Sequence, residues 1–347
     1  METRVLGRTG FEISELGLGG LFVSSFGAEF EEGRRAILRA LDLGVNYIDT
    51  APGYANSEEV IGKALAGVDA PYILSTKLGG RPQPFRPQDR DCLMRSVEMS
   101  LEHLGRDTLD ILMIHEPDRP GQYDWWPDLD HYDDAPVLTL LQDLKRQGVV
   151  KAIGLGGTTA YEIVPIIETG CFDVLLTAFN YSLLWREAEI AVLPAAKAQG
   201  MGIIIGSPLQ QGALARRYAE VDTGARWLSP PRRAQFQALY DFALELEMPL
   251  PELALRFVIS NPDITATLTG ARSAREVALN VASVERGPLD KDVLARLDEI
   301  AAMVPFRPFE APFVLPFGRE YRGPGMAQEK HGPRHSPYPR RVPGTVF

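Results

Sequence analysis

Short apolar runs alternate with amphipathic segments along most of the chain. Runs such as VNYID, YILSTK and DILMIH contain few polar positions, whereas a strand with one solvated face alternates strictly. Continuous apolar strands are typical of parallel sheets, because helices cover both faces of such sheets. The intervening segments, for example RRAILRALDLG, repeat apolar residues at helical spacing. Two of these predicted helices cover residues 159–170 and 186–200.

The repeat predicts eight units of a strand followed by a helix. The strands are LGLGG, VNYID, YILSTK, DILMIH, AIGLGG, DVLLTA, GIIIGS and TATLTG. Strict alternation predicts a parallel sheet with right-handed crossovers, and eight units favour an α/β fold of the closed (β/α)8 type, a TIM barrel. A doubly wound open sheet is the alternative. Its dinucleotide-binding version needs a G-x-G-x-x-G turn, which the chain lacks.

Further segments flank or interrupt this repeat. RVLG and FEIS, joined by a polar turn, predict an N-terminal β-hairpin. Long loops at 119–134 and 210–230 follow the fourth and seventh barrel strands, at the end of a barrel where active sites form. Residues 305–347 are rich in Pro and Gly, which predicts an irregular C-terminal extension. We therefore predict a single domain over residues 1–304.

Charge and cysteine content narrow the class of protein. A formal net charge of −10 argues against binding to nucleic acid or to anionic membranes. The two cysteines, Cys92 and Cys171, are too few for a disulfide framework or a cysteine-rich metal site, and we predict no metal. The N-terminal residues lack the apolar segment of a secretory signal, and no apolar run has the length of a membrane span. We therefore predict a cytoplasmic protein.

Polar side chains end three successive predicted strands. Asp49 ends VNYID, Lys77 ends YILSTK and His115 ends DILMIH, while Tyr54 lies in the loop after Asp49. In a barrel these four residues meet at one end. An ammonium group favours a phenolate, so we expect Lys77 to lower the pKa of Tyr54, with the Asp49 carboxylate holding Lys77 charged.

These residue types suit proton exchange with a carbonyl or hydroxyl group. Tyr54 transfers the proton, and His115 hydrogen-bonds to the substrate oxygen. Hydride transfer needs a cofactor, because no side chain carries hydride. A metal-dependent hydrolase or isomerase is disfavoured, because the strand ends offer one His and one clear Asp as ligands.

At these residues the sequence resembles the aldo-keto reductase superfamily. The matching segments, in the order of the family and over roughly residues 4–300, are LGRTGFEISELGLGG, GVNYIDTAPGYANSEEVIGKAL, ILSTKLG, SLEHLGRDTLDILMIHEPD, GVVKAIGLGG, GSPL and GARSAREVALN. The resemblance implies a barrel that binds NAD(P)H in an extended form. It implies a catalytic tetrad of Asp49, Tyr54, Lys77 and His115, with Tyr54 as general acid/base. From here on, these four residues are called the tetrad.

Several positions depart from the common family pattern. Gly156 and Gly157 stand where many members have Ser-Asn, Thr177 where many have Gln, and Gly206 where many have an aromatic residue. These changes resemble the sugar dehydrogenase branch, similar to L-galactose dehydrogenase, D-threo-aldose 1-dehydrogenase and pyridoxal 4-dehydrogenase. That branch implies oxidation of an aldose, as a cyclic hemiacetal, to a lactone. The alternatives are an NADPH-dependent reductase of aldehydes or ketones and a cofactor-binding regulatory subunit.

The resemblance also implies where the cofactor binds. Its contacts are expected at Gly156, Gly157, Thr177, Ser207, Pro208, Leu209, Gly270, Arg272, Ser273, Arg275, Glu276 and Asn280. Arg272, Ser273 and Arg275 suit a 2′-phosphate and favour NADP. Glu276 would repel that phosphate and favours NAD, so the choice between NADP and NAD stays open.

The loop at 119–134 is rich in aromatic residues. We predict that Tyr123, Trp125 and Trp126 contact a small-molecule substrate, because flat aromatic faces stack on the C–H surfaces of a sugar. The alternative is that the tryptophans only pack the loop onto the barrel.

Overall fold

A computed structural model gives the structure of residues 1–119, 122–127, 132–306, 315 and 317–318. These residues form ten strands: β1 (Thr3–Val5), β2 (Glu12–Ser14), β3 (Leu16–Gly19), β4 (Tyr47–Asp49), β5 (Ile73–Leu78), β6 (Leu109–His115), β7 (Val150–Gly157), β8 (Val174–Ala178), β9 (Gly202–Gly206) and β10 (Ala266–Gly270).

The described residues also form eleven α-helices. They are α1 (Phe30–Asp42), α2 (Ser57–Leu65), α3 (Arg90–Leu104), α4 (Pro136–Arg146), α5 (Val164–Glu168), α6 (Val192–Ala198), α7 (Ala219–Thr223), α8 (Pro230–Glu245), α9 (Leu250–Ile259), α10 (Ala274–Val284) and α11 (Lys291–Ala302).

Strands β3 to β10 close into a parallel barrel. Neighbours follow the order β10-β3-β4-β5-β6-β7-β8-β9, and β10 also pairs with β9, which closes the ring. Strands β1 and β2 form a separate antiparallel hairpin. The predicted TIM barrel with an N-terminal hairpin is therefore confirmed.

Two apolar layers hold the barrel together. One fills the inside of the barrel and includes Tyr47, Met113 and Ile204. Leu6 and Ile13 of the hairpin region belong to the same layer, and a Cβ on Gly202 would lie 2.4 Å from the Leu6 side chain. The hairpin therefore plugs the amino-terminal end of the barrel, which leaves the carboxyl ends of the strands, here called the barrel mouth, for the site. The second layer lies between the strands and the helices.

One predicted helix is much shorter than its apolar pattern suggested. Residues 159–170 were expected to be helical, but α5 covers only Val164–Glu168. The backbone N–H groups of Thr158 and Thr159 donate to Asp118 Oδ2 at 2.9 and 2.7 Å. These bonds fix the loop after β7. The helix begins only at Val164, because Pro165 has no N–H and its ring clashes with the preceding turn, so proline is tolerated only in the first turn of a helix.

Other differences lie in the loops. The predicted helix at 186–200 is divided into a 3-10 turn at Glu187–Glu189 and α6. The loop at 210–230 contains the short helix α7, which the sequence pattern did not predict. Most of the predicted C-terminal extension lies outside the described residues. Of those that are described, Phe317 is buried and its ring lies 4.6 Å from that of Tyr218.

None of the described helices combines the length and apolar character that a membrane span requires. In the same part of the chain, no group of three or more His, Cys, Asp or Glu residues is arranged to hold a metal ion.

Candidate active site

The polar residues at the barrel mouth are placed by strand alternation. Tyr47 and Asp49 lie two positions apart on β4, and Ser75 and Lys77 lie two positions apart on β5. Residues two apart share one face of a strand, and Tyr47 belongs to the layer inside the barrel. The register pairs Asp49 with Ser75. Asp49, Ser75 and Lys77 therefore point into the barrel, above the apolar filling to which Tyr47 belongs.

Lys77 and Asp49 form a buried ion pair. Lys77 Nζ lies 2.9 and 2.7 Å from Asp49 Oδ1 and Oδ2, and it also donates to the Thr50 carbonyl oxygen at 2.8 Å. Ser75 Oγ donates to Asp49 Oδ1 at 2.7 Å and lies 2.8 Å from the Tyr47 hydroxyl. A buried ion pair is tolerated when further hydrogen bonds satisfy its remaining atoms. The hydrogen bonds to Thr50 and Ser75 satisfy these atoms and hold the Lys77 ammonium in one position.

The pair lies against the phenol of Tyr54. Lys77 Nζ is 5.0 Å from the centre of the Tyr54 ring. Burial lowers the pKa of Lys77, but the charges of Asp49 and Tyr54 and the hydrogen bonds to both together raise it more, so the pKa lies above the ordinary value for lysine. Lys77 therefore stays a cation beside Tyr54.

Two opposing effects set the pKa of Tyr54. Burial raises the pKa of Tyr54, and the attraction of the Lys77 ammonium lowers it by less, so the pKa lies above the ordinary value for tyrosine. Lys77 acts in the expected direction, but it does not overcome the loss of solvent. In this structure Tyr54 is accordingly a phenol at neutral pH.

Hydrogen bonds in the loop after β4 hold Tyr54 in place. The Ser57 N–H donates to the Tyr54 carbonyl oxygen at 2.9 Å. Thr50 Oγ1 donates to Ser57 Oγ at 2.7 Å, and Ser57 Oγ donates to the Gly20 carbonyl oxygen at 2.8 Å. Because all three hydroxyl and carbonyl groups are buried, this network ties the loop to two neighbouring strands.

His115 is a neutral imidazole beside the phenol. Its ring lies edge-on to Tyr54 at 5.7 Å between ring centres. Burial, together with the cations Lys77 and Arg119, lowers the pKa of His115 to about 3. Nδ1 is buried and has no hydrogen-bond partner among the described residues. Since a neutral imidazole carries one proton, His115 can offer one N–H donor and one acceptor.

The three aromatic residues predicted to contact substrate differ in their surroundings. Trp125 is 2% exposed and donates from Nε1 to the His115 carbonyl oxygen at 2.9 Å. Its ring packs against Phe85 and Tyr123 at 5.4 Å each. Trp125 therefore holds the end of β6 instead of presenting a face to substrate, which corrects that expectation. Trp126 donates to the Pro117 carbonyl oxygen at 2.8 Å and is only partly buried.

Tyr123 is the aromatic residue that borders the tetrad. Its ring stacks on His115 with 6.5 Å between ring centres and 29° between planes. A Cβ on Gly80 would lie 3.6 Å from both the Tyr123 hydroxyl and the Gly53 nitrogen. Tyr123 therefore lies against Gly79 and Gly80, the glycines of the loop after β5. It forms one wall beside Tyr54.

The other half of the barrel mouth is lined by small residues. A Cβ on Gly156 would lie 3.3 Å from Lys77 Cε, and one on Gly206 would lie 3.1 Å from Ala178 Cβ. Gly156, Ala178 and Gly206 thus end three consecutive strands without bulk on the inner face. These three residues, here called the cradle, leave the inner face beside the tetrad without bulky side chains, which suits a flat nicotinamide ring.

Two expected cofactor residues face the other way. A Cβ on Gly157 would meet Ile163 Cδ1 at 2.2 Å, so this position faces the helix layer. Thr177 pairs with Gly157 in register and is fully buried, and Thr177 Oγ1 accepts from Asn180 Nδ2 at 3.4 Å. The side chain of Thr177 therefore lies away from the cradle, and its contact with cofactor stays a prediction.

The expected adenosine contacts surround the start of α10. Ser273 Oγ accepts from the Glu276 N–H at 3.3 Å, and Glu276 Oε2 accepts from the Arg272 N–H at 2.8 Å. These bonds cap the helix. The Arg272 guanidinium lies 5.2 Å from the centre of the Phe22 ring, and Asn280 Nδ2 donates to Thr269 Oγ1 at 3.2 Å.

The remaining expected contacts are at the carboxyl ends of β9 and β10. Ser207, Pro208 and Leu209 follow β9, Gly270 ends β10, and Arg275 lies exposed on α10. Ser207 has a left-handed φ of 56°. Non-glycine residues with such angles concentrate at functional sites. Ala55, Glu116 and Phe179 have them too, each in the loop that follows a barrel strand.

Sequence reasoning missed several residues of this site. Ser75, Tyr47 and Thr50 complete the surroundings of the ion pair. Tyr47 and Ser75 lie two residues before Asp49 and Lys77, so the strand period predicts that they share the inner face with those residues. Glu116 was also missed, because it follows His115 directly and no spacing along a strand places it at the site.

A parallel barrel whose mouth joins a cradle for a nicotinamide ring to a tyrosine, a lysine and a neutral histidine is typical of oxidoreductases that use NAD(P). The chain belongs to the aldo/keto reductase family, whose profile matches residues 15–302. It is therefore an NAD(P)-dependent oxidoreductase of that family, as the sequence resemblance predicted.

Relatives cover nearly the whole of the barrel. L-galactose dehydrogenase from Arabidopsis thaliana is 29% identical over 86% of this chain and 94% of its own length. Pyridoxal 4-dehydrogenase from Microbacterium luteolum is 28% identical over 84% and 95%. NADH-specific methylglyoxal reductase from Escherichia coli is 29% identical over 83% and 94%. The similar proteins thus include both dehydrogenases and a reductase.

A solved structure agrees with this assignment. An aldo-keto reductase from Bacillus halodurans, in its holo form, superposes with a TM-score of 0.72 at 26% identity. The match covers 88% of this chain and 98% of that chain.

Proposed function

We propose that this protein oxidises an aldose, in its cyclic hemiacetal form, to a lactone with Tyr54 as the general acid/base. The observation that carries this proposal is the position of the Tyr54 ring, 5.0 Å from the buried Lys77 ammonium and 5.7 Å from the His115 ring. The similarity to L-galactose dehydrogenase supports the choice of an aldose.

The tetrad handles the proton of the reaction. His115 donates or accepts a hydrogen bond at the anomeric oxygen and so orients that oxygen toward Tyr54. Tyr54, as a phenolate, takes the hydroxyl proton while the C1–H bond breaks, and the exocyclic C–O bond becomes the carbonyl of the lactone. Lys77 stabilises the phenolate, and Asp49 keeps Lys77 charged and in place.

A nicotinamide cofactor would supply the redox chemistry when bound, as the acceptor of the hydride from C1. The small inner residues Gly156, Ala178 and Gly206 would hold its ring beside Lys77. Ser207 and the start of α10 would hold the remainder, with Arg272 and Arg275 available to a phosphate and Glu276 opposed to a 2′-phosphate. Both NAD and NADP therefore belong in any test.

The proposal is tested by the absorbance of reduced nicotinamide. Purified full-length protein is mixed with NAD or NADP and a panel of aldoses, with the corresponding alditols as matched controls. We expect cofactor reduction with at least one aldose, a lactone product by mass spectrometry, and no reaction of its alditol, which has no anomeric carbon. Equal oxidation of aldose and alditol, or no oxidation of any aldose, would refute the hemiacetal assignment.

A second candidate is the reduction of aldehydes or ketones. It is favoured by the raised pKa of Tyr54, caused mainly by burial, because a phenol is the form that donates a proton to a carbonyl oxygen. A relative is named as a methylglyoxal reductase. Consumption of NADPH or NADH with simple aldehydes, without oxidation of any aldose, would establish this function instead.

A further inference from the structure

One carboxylate beside the tetrad has no part in the proton transfer. Glu116 follows His115 at the end of β6, and its N–H donates to the Gly156 carbonyl oxygen at 2.7 Å. Its φ is 52°, in the left-handed region that residues with a side chain rarely adopt. The chain therefore turns sharply at Glu116, immediately beyond the site, and such turns persist where the surrounding structure enforces them.

Only one oxygen of this carboxylate is paired. Arg119 Nη1 donates to Glu116 Oε1 at 2.8 Å, and the Glu116 side chain is 14% exposed. Oε2 is buried and has no partner at hydrogen-bonding distance among the residues described, and the Gln122 side chain lies near the same carboxylate. A buried acceptor without a donor is costly, so its presence beside a substrate site indicates that a ligand supplies the donor.

Glu116 is close to both phenols of the site. Burial raises the pKa of Tyr54 and of Tyr123, and the negative charge of Glu116 raises both further. Tyr123 stacks on His115, whose ring meets Tyr54 edge-on. The carboxylate thus belongs to the same wall of the barrel mouth as Tyr123 and His115.

We propose that Glu116 determines substrate specificity by accepting, at Oε2, a hydrogen bond from a hydroxyl group on the carbon next to the reacting carbon. Since His115 binds the reacting oxygen, the next residue along the chain reaches a neighbouring carbon. The preferred substrates are then aldoses and other 2-hydroxy carbonyl compounds, in contrast to carbonyl compounds without that hydroxyl. Burial raises the pKa of Glu116, and the Arg119 guanidinium opposes that rise and holds the carboxylate in position.

This inference rests on the proposed exchange of alcohol and carbonyl at Tyr54, but it holds for either direction of reaction. Its test therefore uses reduction of glyceraldehyde and of propanal, which have the same chain length and differ in their hydroxyl groups. The variant is Glu116→Gln, which keeps the shape and removes the charge. Asp124→Asn is the matched control, because Asp124 is an exposed carboxylate in the same loop with a φ of 49°.

We expect wild-type protein to prefer glyceraldehyde, and Glu116→Gln to lower kcat/KM for glyceraldehyde about tenfold or more, mainly through KM. The kcat/KM for propanal should change less than about threefold at a pH below the alkaline limb. The alkaline limb itself should move to lower pH with both substrates, because a negative charge near Tyr54 is lost. Asp124→Asn should match wild type in all of these.

Three results distinguish the role of Glu116 from the proposed oxidation of aldoses. Equal losses for glyceraldehyde and propanal in Glu116→Gln, or no preference in wild type, would overturn the specificity role. A selective loss for glyceraldehyde in a protein that oxidises no aldose would support Glu116 while refuting the proposed sugar oxidation. No reaction with either aldehyde or with any aldose would overturn both proposals.

Discussion

The Lys77 ammonium and the Asp49 carboxylate form an ion pair in which the two side chains are only 1% and 4% exposed. If either charge were removed, no solvent would be present to stabilise the charge that remains. This makes the pair a unit, and removing one member leaves an uncompensated charge in the barrel. The pair also fixes the cation beside Tyr54, so its integrity matters for both stability and proton transfer.

Breaking this pair should be strongly destabilising. We expect Asp49→Asn and Lys77→Met each to lower the free energy of unfolding by about 3–5 kcal/mol, because each leaves a buried charge unpaired. The double variant should lose much less than the sum of the two. Urea unfolding followed by circular dichroism measures this. Asp143→Asn, which removes a partly exposed partner of Arg90 and Arg146, is the control and should cost about 0–1 kcal/mol. Additive losses would contradict the coupling.

The pH dependence should follow the protonation of Tyr54. Aldose oxidation needs the phenolate, so its rate should rise with pH through the raised pKa of Tyr54, whereas carbonyl reduction should fall over the same range. Lys77→Met removes a cation that lowers this pKa, so the residual activity of the variant should show the transition at higher pH. Lys63→Met, at an exposed position on α2, is the control. An unmoved transition in Lys77→Met would contradict the contact between Lys77 and Tyr54.

The acid dependence of stability should carry the signature of His115. Its pKa is about 3 in the folded protein because of burial, whereas an unfolded histidine has a pKa of about 6.5. Between these values the unfolded chain binds a proton that the folded protein does not. The free energy of unfolding should therefore fall as pH drops below about 6.5, by at most about 1.4 kcal/mol per pH unit from this group.

Replacement of His115 isolates this contribution. In His115→Gln the decline in unfolding free energy between pH 6 and 4 should be shallower than in wild type, as measured by urea midpoints at each pH. Identical slopes for the two proteins would mean that His115 is exposed to solvent in solution.

The two glycines at the end of β7 should respond differently to alanine. A Cβ on Gly156 would lie 3.3 Å from Lys77 Cε in the cradle, whereas one on Gly157 would collide with Ile163 on the outer face. Gly156→Ala should weaken binding of NADH or NADPH with little change in thermal midpoint. Gly157→Ala should lower the thermal midpoint. Cofactor fluorescence and thermal unfolding measure the two effects, and the reverse assignment would place the cofactor elsewhere.

The strands and the tetrad were predictable because the physics behind them is local. Continuous apolar runs mark strands buried on both faces, and a barrel brings their carboxyl ends together, so Asp49, Lys77 and His115 had to converge. Glycines such as Gly206 favour the sugar dehydrogenase branch of the family, and that assignment stays a prediction.

The remaining features depend on long-range contacts that no local pattern contains. Asp118, about forty positions earlier in the chain, binds the backbone amides of Thr158 and Thr159 and so fixes the loop after β7. Trp125 looked like a sugar platform, but its indole N–H reaches the His115 carbonyl oxygen and its ring is covered by Phe85. The pKa of Tyr54 likewise depends on how deeply its side chain is buried, and the spacing of residues in the sequence does not specify that depth.

The central claim is that Tyr54 exchanges the substrate proton, and Tyr54→Phe tests it most directly. With an aldose that wild type oxidises, the initial rate of cofactor reduction is measured for both proteins, alongside cofactor binding by fluorescence. We expect kcat to fall about 10²–10⁴-fold in Tyr54→Phe, with cofactor affinity nearly unchanged. Near-normal turnover in Tyr54→Phe would contradict the account.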